Sequence, residues 1–268
     1  MISAADQVTD LGLRVGRYKA AQVIILSGLS SGGFFDHAAF YGGSCLRIFH
    51  GVDRFSEDMK FTLLEPDPNF SFEPYVKYIY DEFALVARSV QIVSRNSHEG
   101  EGQDSISMGD VITYEVRSLR DKPEKIRIEI VTHPVLDFTT ELRLSVHPRS
   151  FMARCLSLPV LFACNAHCLA FCGCGKEPSH GSDWFDFEWF VRSGVPLSES
   201  FLRSKIKLIN GIDMTRQEFL AQLSETIQNA HIDNFKSNVQ SYLLNNHSVD
   251  HWTTTYFLEL ARIVEWTK

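Results

Sequence analysis

Phe40-Tyr41-Gly42-Gly43-Ser44-Cys45-Leu46-Arg47-Ile48 is the stretch whose reading decides the fold. A short apolar run, Ala38-Ala39-Phe40-Tyr41, meets two glycines, and a segment of helical character opens at Ser44, a residue type favoured at helix starts. Strand, glycine turn and helix together present unpaired backbone N–H groups and the positive end of a helix dipole, which attract phosphate. The same tripeptide also serves as an ordinary tight turn, so it takes further residues to separate the two uses.

Working outward, Met59, Phe61 and Leu63 alternate with Lys60, Thr62 and Leu64, and the run stops at Glu65-Pro66-Asp67-Pro68. This predicts a second strand, on which Asp58 and Lys60, two apart, face the same side. Upstream, Tyr18 to Leu29 reads as a helix ending at Ser30-Ser31-Gly32-Gly33. Downstream, Tyr75 to Ala87 predicts a helix with Val76, Tyr80 and Phe83 on its buried face. Val111 to Val116 and Ile126 to Val131, separated by the polar turn Leu119 to Glu124, predict a hairpin. Glu129 is an acid inside the otherwise core-like Ile126-Arg127-Ile128-Glu129-Ile130-Val131; it reads either as a site carboxylate or as a surface residue of an edge strand. From about Ser150 the periodicity is helical, including Thr215 to Gln228 with a Thr215-x-x-Glu218 capping box and an amphipathic Trp252 to Trp266. Strands first and helices afterwards predict an α+β domain over residues 1–149 and a helical domain over 150–268.

The chain has 268 residues, 44% hydrophobic and 22% charged, with a formal charge of -7. That balance argues against a protein that coats nucleic acid through a broad basic surface. Met1 to Asp10 lacks the pattern of a signal peptide and Ala20 to Leu29 is too short to cross a bilayer, so a cytoplasmic, membrane-free protein with reduced thiols is expected. Cys164, Cys168 and Cys172 recur at helical spacing with His167 and Cys174 nearby; they read either as small buried helix residues or as soft ligands for zinc. His180 reads as a loop residue.

The segments Phe40 to Ile48 and Asp53-Arg54-Phe55-Ser56-Glu57-Asp58-Met59 resemble the first two motifs of the AbiEii/AbiGii nucleotidyltransferase toxins, and Gly181-Ser182-Asp183-Trp184-Phe185-Asp186-Phe187-Glu188-Trp189 resembles their later acidic motif. The resemblance implies a polymerase β-like nucleotidyltransferase core, a mixed sheet flanked by helices, followed by a helical region. It implies that Gly42, Gly43, Ser44, Arg47, Ser56 and Lys60 surround the nucleotide, and that Asp58 and Glu129 hold Mg2+ or Mn2+. Asp183 and Asp186, three apart on one helix face, join Asp58 and Glu129 as the catalytic acids. An NTP would be the substrate, RNA or protein the acceptor, and a cognate antitoxin a partner.

Three positions depart from the pattern. Lys60 stands where the family carries a second acid, Asn165 where it carries a lysine, and Ser182 where it carries a basic residue. An ammonium about 5 Å from a divalent ion is repelled by roughly 5 kcal/mol or more at an effective dielectric near 20. Two readings follow: a nucleotidyltransferase that moves a nucleotide onto RNA or protein, or a catalytically degenerate module of that fold acting by nucleotide or protein binding. In the second, Lys60 pairs with Asp58 and Glu129 in place of a metal.

Overall fold

The computed structural model describes residues 4–95, 111–118, 124–147, 149–172, 181–240, 242–243 and 248–267. Cys174 and His180 lie outside them. The chain opens with helix α1 (Ala4–Ser31), in which Val15, Tyr18, Gln22, Ile25 and Leu29 form one buried stripe at helical spacing. Strand β1 (Ala38–Tyr41) turns at Gly42 into α2 (Gly43–Phe49), and β2 (Met59–Leu63) returns antiparallel to β1. After α3 (Glu73–Leu85) come β3 (Val90–Arg95), β4 (Val111–Ser118), β5 (Lys125–Val131), β6 (Thr140–Ser145) and β7 (Phe151–Leu156).

The seven strands make one mixed sheet in the order β3-β4-β5-β2-β1-β7-β6. Hairpin β4–β5 forms as the alternation predicts, and β5 then lies parallel to β2 with Lys60 opposite Glu129. Glu129 therefore sits on an interior strand and not on an edge. Phe40 and Phe61 stack at 5.1 Å, and Phe34 packs edge-on against Phe61 at 5.1 Å. The alternate residues Tyr41, Lys60 and Glu129 fall in one row across β1, β2 and β5 on the opposite face, because side chains alternate along each strand.

The helical layer comprises α4 (Leu158–Phe171), α5 (Gly181–Arg192), α6 (Glu199–Asn210), α7 (Arg216–Asn229), α8 (Ile232–Gln240) and α9 (Thr254–Arg262). The Thr215–Glu218 capping box starts α7, and Gly211 at φ 70° ends α6. Short strands β8 (Leu197–Ser198) and β9 (Trp266–Thr267) pair in parallel. Trp184, stacked on Phe235 at 5.3 Å, is core.

Three details correct the sequence reading. The helical pattern expected from Ser150 begins only at Leu158, since β7 runs beside β1 in the sheet, with Phe40 opposite Cys155. Strands β3 and β6, which the sequence reading does not include, form the two edges of the sheet. On α3 the inward residues are Ile79, Glu82 and Phe83, while Tyr80 is exposed; the apolar stripe is rotated because buried Glu82 accepts a hydrogen bond from Ser27 of α1 at 3.0 Å and pairs with Arg149.

The last helix is moored by one carboxylate. Glu188 accepts from Trp252 Nε1 at 2.8 Å, Tyr256 Oη at 2.6 Å and His251 Nε2 at 2.8 Å. Burial raises its pKa, but hydrogen bonds from Tyr256, His251 and Trp252 outweigh burial and hold it below its ordinary value of 4.5. Because the folded pKa is depressed, this contribution is present above the unfolded value and fades as pH falls through the folded one. Glu188→Ala is expected to cost about 2–3 kcal/mol by leaving buried donors unpaired. In urea melts the stability gap between wild type and Glu188→Gln should close as pH drops from 7 to 3; a gap that stays constant would show that the charge is not what moors α9.

Candidate active site

An open cleft of about 230 Å³ lies between the polar face of the sheet and the helical layer. Its floor holds Tyr41, Gly42, Gly43, Lys60 and Glu129, and its far wall holds Cys164, Asn165, Cys168, Asp183, Asp186 and Lys205. The row set by strand register thus faces the late acidic motif, as the convergence of separate segments requires.

The charges inside are already paired. Lys60 Nζ is 3.5 Å from Glu129 Oε2, and Arg127 Nη1 is 3.6 Å from Glu129 Oε1. Burial disfavours the Lys60 charge, but Glu129, then Tyr41, Asp58 and Asp183, raise its pKa above the usual value, so it is an ammonium at neutral pH. Asp58 does not line the cleft wall, but its carboxyl lies in the same field. Burial raises its pKa, Arg127 lowers it, Glu129 raises it and Lys60 lowers it, with a net upward shift. Burial also raises the pKa of Tyr41.

Arg54 supplies the second cation. Its Nε donates to Asp186 Oδ1 at 2.6 Å and its Nη2 to Asp186 Oδ2, a bidentate pair with both side chains buried. The guanidinium lies directly on Gly43: a Cβ there would come 2.9 Å from Nη1 and 3.0 Å from Cζ. Gly42 takes φ 78°, left-handed backbone that only glycine enters freely, with the Lys60 stem alongside. The glycine turn is thus shaped around Arg54 as well as around the cleft.

The remaining expected site residues are placed as follows. Ser44 donates to the carbonyl of Asp58, lies 3.0 Å from the Ser56 hydroxyl and accepts from Gln22 Nε2 at 3.2 Å. Arg47 is buried, pairs with Gln22 Oε1, and has its pKa pulled down to about 10 by burial and by Arg54. Ser44 and Arg47 are therefore joined by their side chains, and Ser56 by its carbonyl, to Gln22 of α1 behind the turn, while Gly42, Gly43 and Lys60 line the cleft. Asp183 faces the cleft and accepts from Cys168 Sγ at 3.7 Å. Asn165 donates to the Asp183 carbonyl at 3.0 Å.

The implied metal pair does not fit this donor set. Of the two carboxylates expected to hold metal, Glu129 is paired with Lys60 and Arg127 and Asp58 does not line the cleft; Asp186 is taken by Arg54, and among the described residues no three His, Cys, Asp or Glu side chains gather to hold an ion. The same finding bears on the zinc reading of the cysteine stripe, for the cysteines that are described. Sequence reading gave no role to Arg54 or Lys205. Arg54 did carry a signal, a cation between the apolar Val52 and Phe55.

Arg54→Met is expected to cost about 3–5 kcal/mol because it strands a buried carboxylate, and adding Asp186→Leu should restore most of the loss. Urea unfolding measures both; a double variant as unstable as the single would locate the defect elsewhere.

A family model described as nucleotidyl transferase AbiEii toxin, type IV TA system, matches residues 24–254. No curated protein matches. Among solved structures, a putative nucleotidyltransferase from Helicobacter pylori is 14% identical, with 93% of each chain covered and a TM-score of 0.52. JHP933 from the same organism is 16% identical, with 93% of this chain and 90% of that one covered, at 0.55. MenT4, a nucleotidyltransferase toxin from Mycobacterium tuberculosis, is 16% identical over 96% and 84%, at 0.58. At these identities the structures show a shared fold. Among the described residues no helix is long and apolar enough to cross a membrane.

Proposed function

The chain belongs to the AbiEii nucleotidyl transferase toxin family, and from that premise we propose that its cleft binds a nucleoside triphosphate without metal-dependent nucleotide transfer. The observation that carries this reading is Lys60, whose ammonium sits 3.5 Å from Glu129 at the point where the family resemblance calls for a metal-binding acid.

An ammonium in that position repels a divalent cation and attracts a phosphate oxygen. Lys60 and Lys205 supply positive charge on facing walls, and the backbone N–H groups of the glycine turn add donors. Apolar wall residues Val135, Phe138, Phe201 and Leu208 give a base a surface to lie against. Asp58, Glu129, Asp183 and Asp186 retain the acidic positions of a transferase, but with Lys60 and Arg54 among them they act as counter-ions holding the cations in place. A role in a toxin–antitoxin system, with an antitoxin or an RNA or protein target as partner, would on this reading proceed by binding.

Calorimetry and label transfer test this directly. Wild type is expected to bind ATP or another NTP with an affinity unchanged by EDTA, and Lys60→Ala to bind about tenfold more weakly, some 1.4 kcal/mol. Lys60→Asp should make binding depend on Mg2+ or Mn2+. Transfer of radiolabel from any NTP to RNA or protein by the wild-type chain would overturn the proposal in favour of active catalysis.

A further inference from the structure

The far wall of the cleft contains a group of side chains that nucleotide binding does not use. His167 is buried, and its Nε2 lies 2.9 Å from Asn210 Oδ1. An amide oxygen only accepts, so Nε2 carries the hydrogen and Nδ1 is the ring atom able to take a proton. The Phe171 ring packs against the imidazole at 5.2 Å. Cys172 follows at the end of α4, outside regular helical geometry at φ -94° and ψ 67°, with its N–H donating to the Cys168 carbonyl at 2.8 Å. Cys168 and Cys172 are both partly exposed residues, line the cleft, and are unbridged.

We propose that Cys172 is a reactive thiol, with His167 as its base, Asn210 orienting the imidazole and Cys168 as the resolving thiol, and that it takes a hydroperoxide as oxidant. The constellation has the parts an activated cysteine needs: a nucleophile, a neighbouring base and a third group fixing the base. Cys168, His167 and Lys205 line the same cleft as Cys172; Cys168, and then His167 and Lys205, outweigh burial and hold the Cys172 thiol well below its usual range, while the Cys168 thiol is raised. Cys45 on α2 and Cys155 on β7 lie fully buried, where a thiol is inert.

The chemistry balances in two steps. The Cys172 proton moves to His167, the thiolate attacks the distal peroxide oxygen, and the O–O bond breaks. The departing alkoxide or hydroxide takes the proton from the imidazolium, leaving a sulfenic acid on Cys172. Cys168 sulfur then attacks that sulfur, an S–S bond forms, and the sulfenic oxygen leaves as water with the Cys168 proton. Two thiols lose two electrons and the peroxide gains them. The two residues are one helical turn apart, a separation within the reach of a disulfide, and forming the S–S bond consumes the Cys168 S–H that meets Asp183.

The proposal concerns sulfur chemistry and stands or falls whether or not the cleft binds nucleotide. The test treats the reduced full chain with one equivalent of hydrogen peroxide, with and without dimedone, and maps products by mass spectrometry. Wild type is expected to lose two hydrogens between Cys168 and Cys172, restored by dithiothreitol. Cys168→Ser should accumulate dimedone adduct on Cys172, and Cys172→Ser should show neither product. Iodoacetamide at pH 6 should label Cys172 of wild type first, and His167→Ala should slow that labelling by about tenfold or more and move its pH profile upward. Should a variant fail to fold, the wild-type alkylation order and product map decide alone. First oxidation at another cysteine, a bridge from Cys172 to any thiol other than Cys168, or a pH profile indifferent to His167 would overturn the assignment.

Discussion

The bidentate pair between Arg54 and Asp186 is the interaction on which the rest of the arrangement depends. The two residues are 132 positions apart, one in the loop before β2 and the other on α5, so their contact sets how the helical layer sits over the sheet. Two buried charges repay their desolvation only with good geometry and full hydrogen bonding, and here both carboxylate oxygens meet guanidinium donors. Gly43 is part of the same constraint, since any side chain there would push the guanidinium away. The glycine turn that reads from sequence as a phosphate cradle is in the folded chain also a seat for an internal cation.

The electrostatics of the floor follow from strand register. Pairing Lys60 with Glu129 in parallel strands puts opposite charges side by side, where cross-strand neighbours stabilise each other. A carboxylate at position 60 would instead put two anions together and require a cation from outside; the lysine provides that cation covalently. One residue therefore sets both the charge of the cleft floor and the ion pair that stabilises it. Lys60 and Lys205 are the lysines that line the cleft, while Arg54 is held on both oxygens of Asp186.

Much of this was legible because it is local. The Gly42-Gly43 turn, the alternation of Met59 to Leu63, the hairpin Val111 to Val131 and the capping box at Thr215 each carry their signal within a few residues, and each forms. What escaped depends on distant partners. Strand β7 is stabilised by lying beside β1, which no local pattern announces, and its sequence Phe-Met-Ala-Arg-Cys-Leu alternates too weakly to oppose a helical reading. The phase of α3 departs from its apolar pattern because its most buried polar residue, Glu82, is satisfied by Ser27 and Arg149 from other segments. In the cleft, Lys60 and Glu129 are legible as alternate strand residues, while Asp58, just before β2, does not line it, and the turning of Ser44, Ser56 and Arg47 toward Gln22 depends on α1, whose contribution carries no motif.

The position of β1 in the sheet has a further consequence for how the molecule is made. Its two neighbours are β2, which follows almost at once, and β7, which is synthesised far later. Non-local pairings of this kind are slow to form because a long loop must close before any contact rewards it. On the ribosome the glycine turn and β2 therefore emerge well before the strand that covers the other edge of β1. The half-built sheet exposes that edge until Leu156 has left the tunnel, and the cleft becomes a cleft only when α5 arrives. Closure of the cleft thus waits for the chain's C-terminal half.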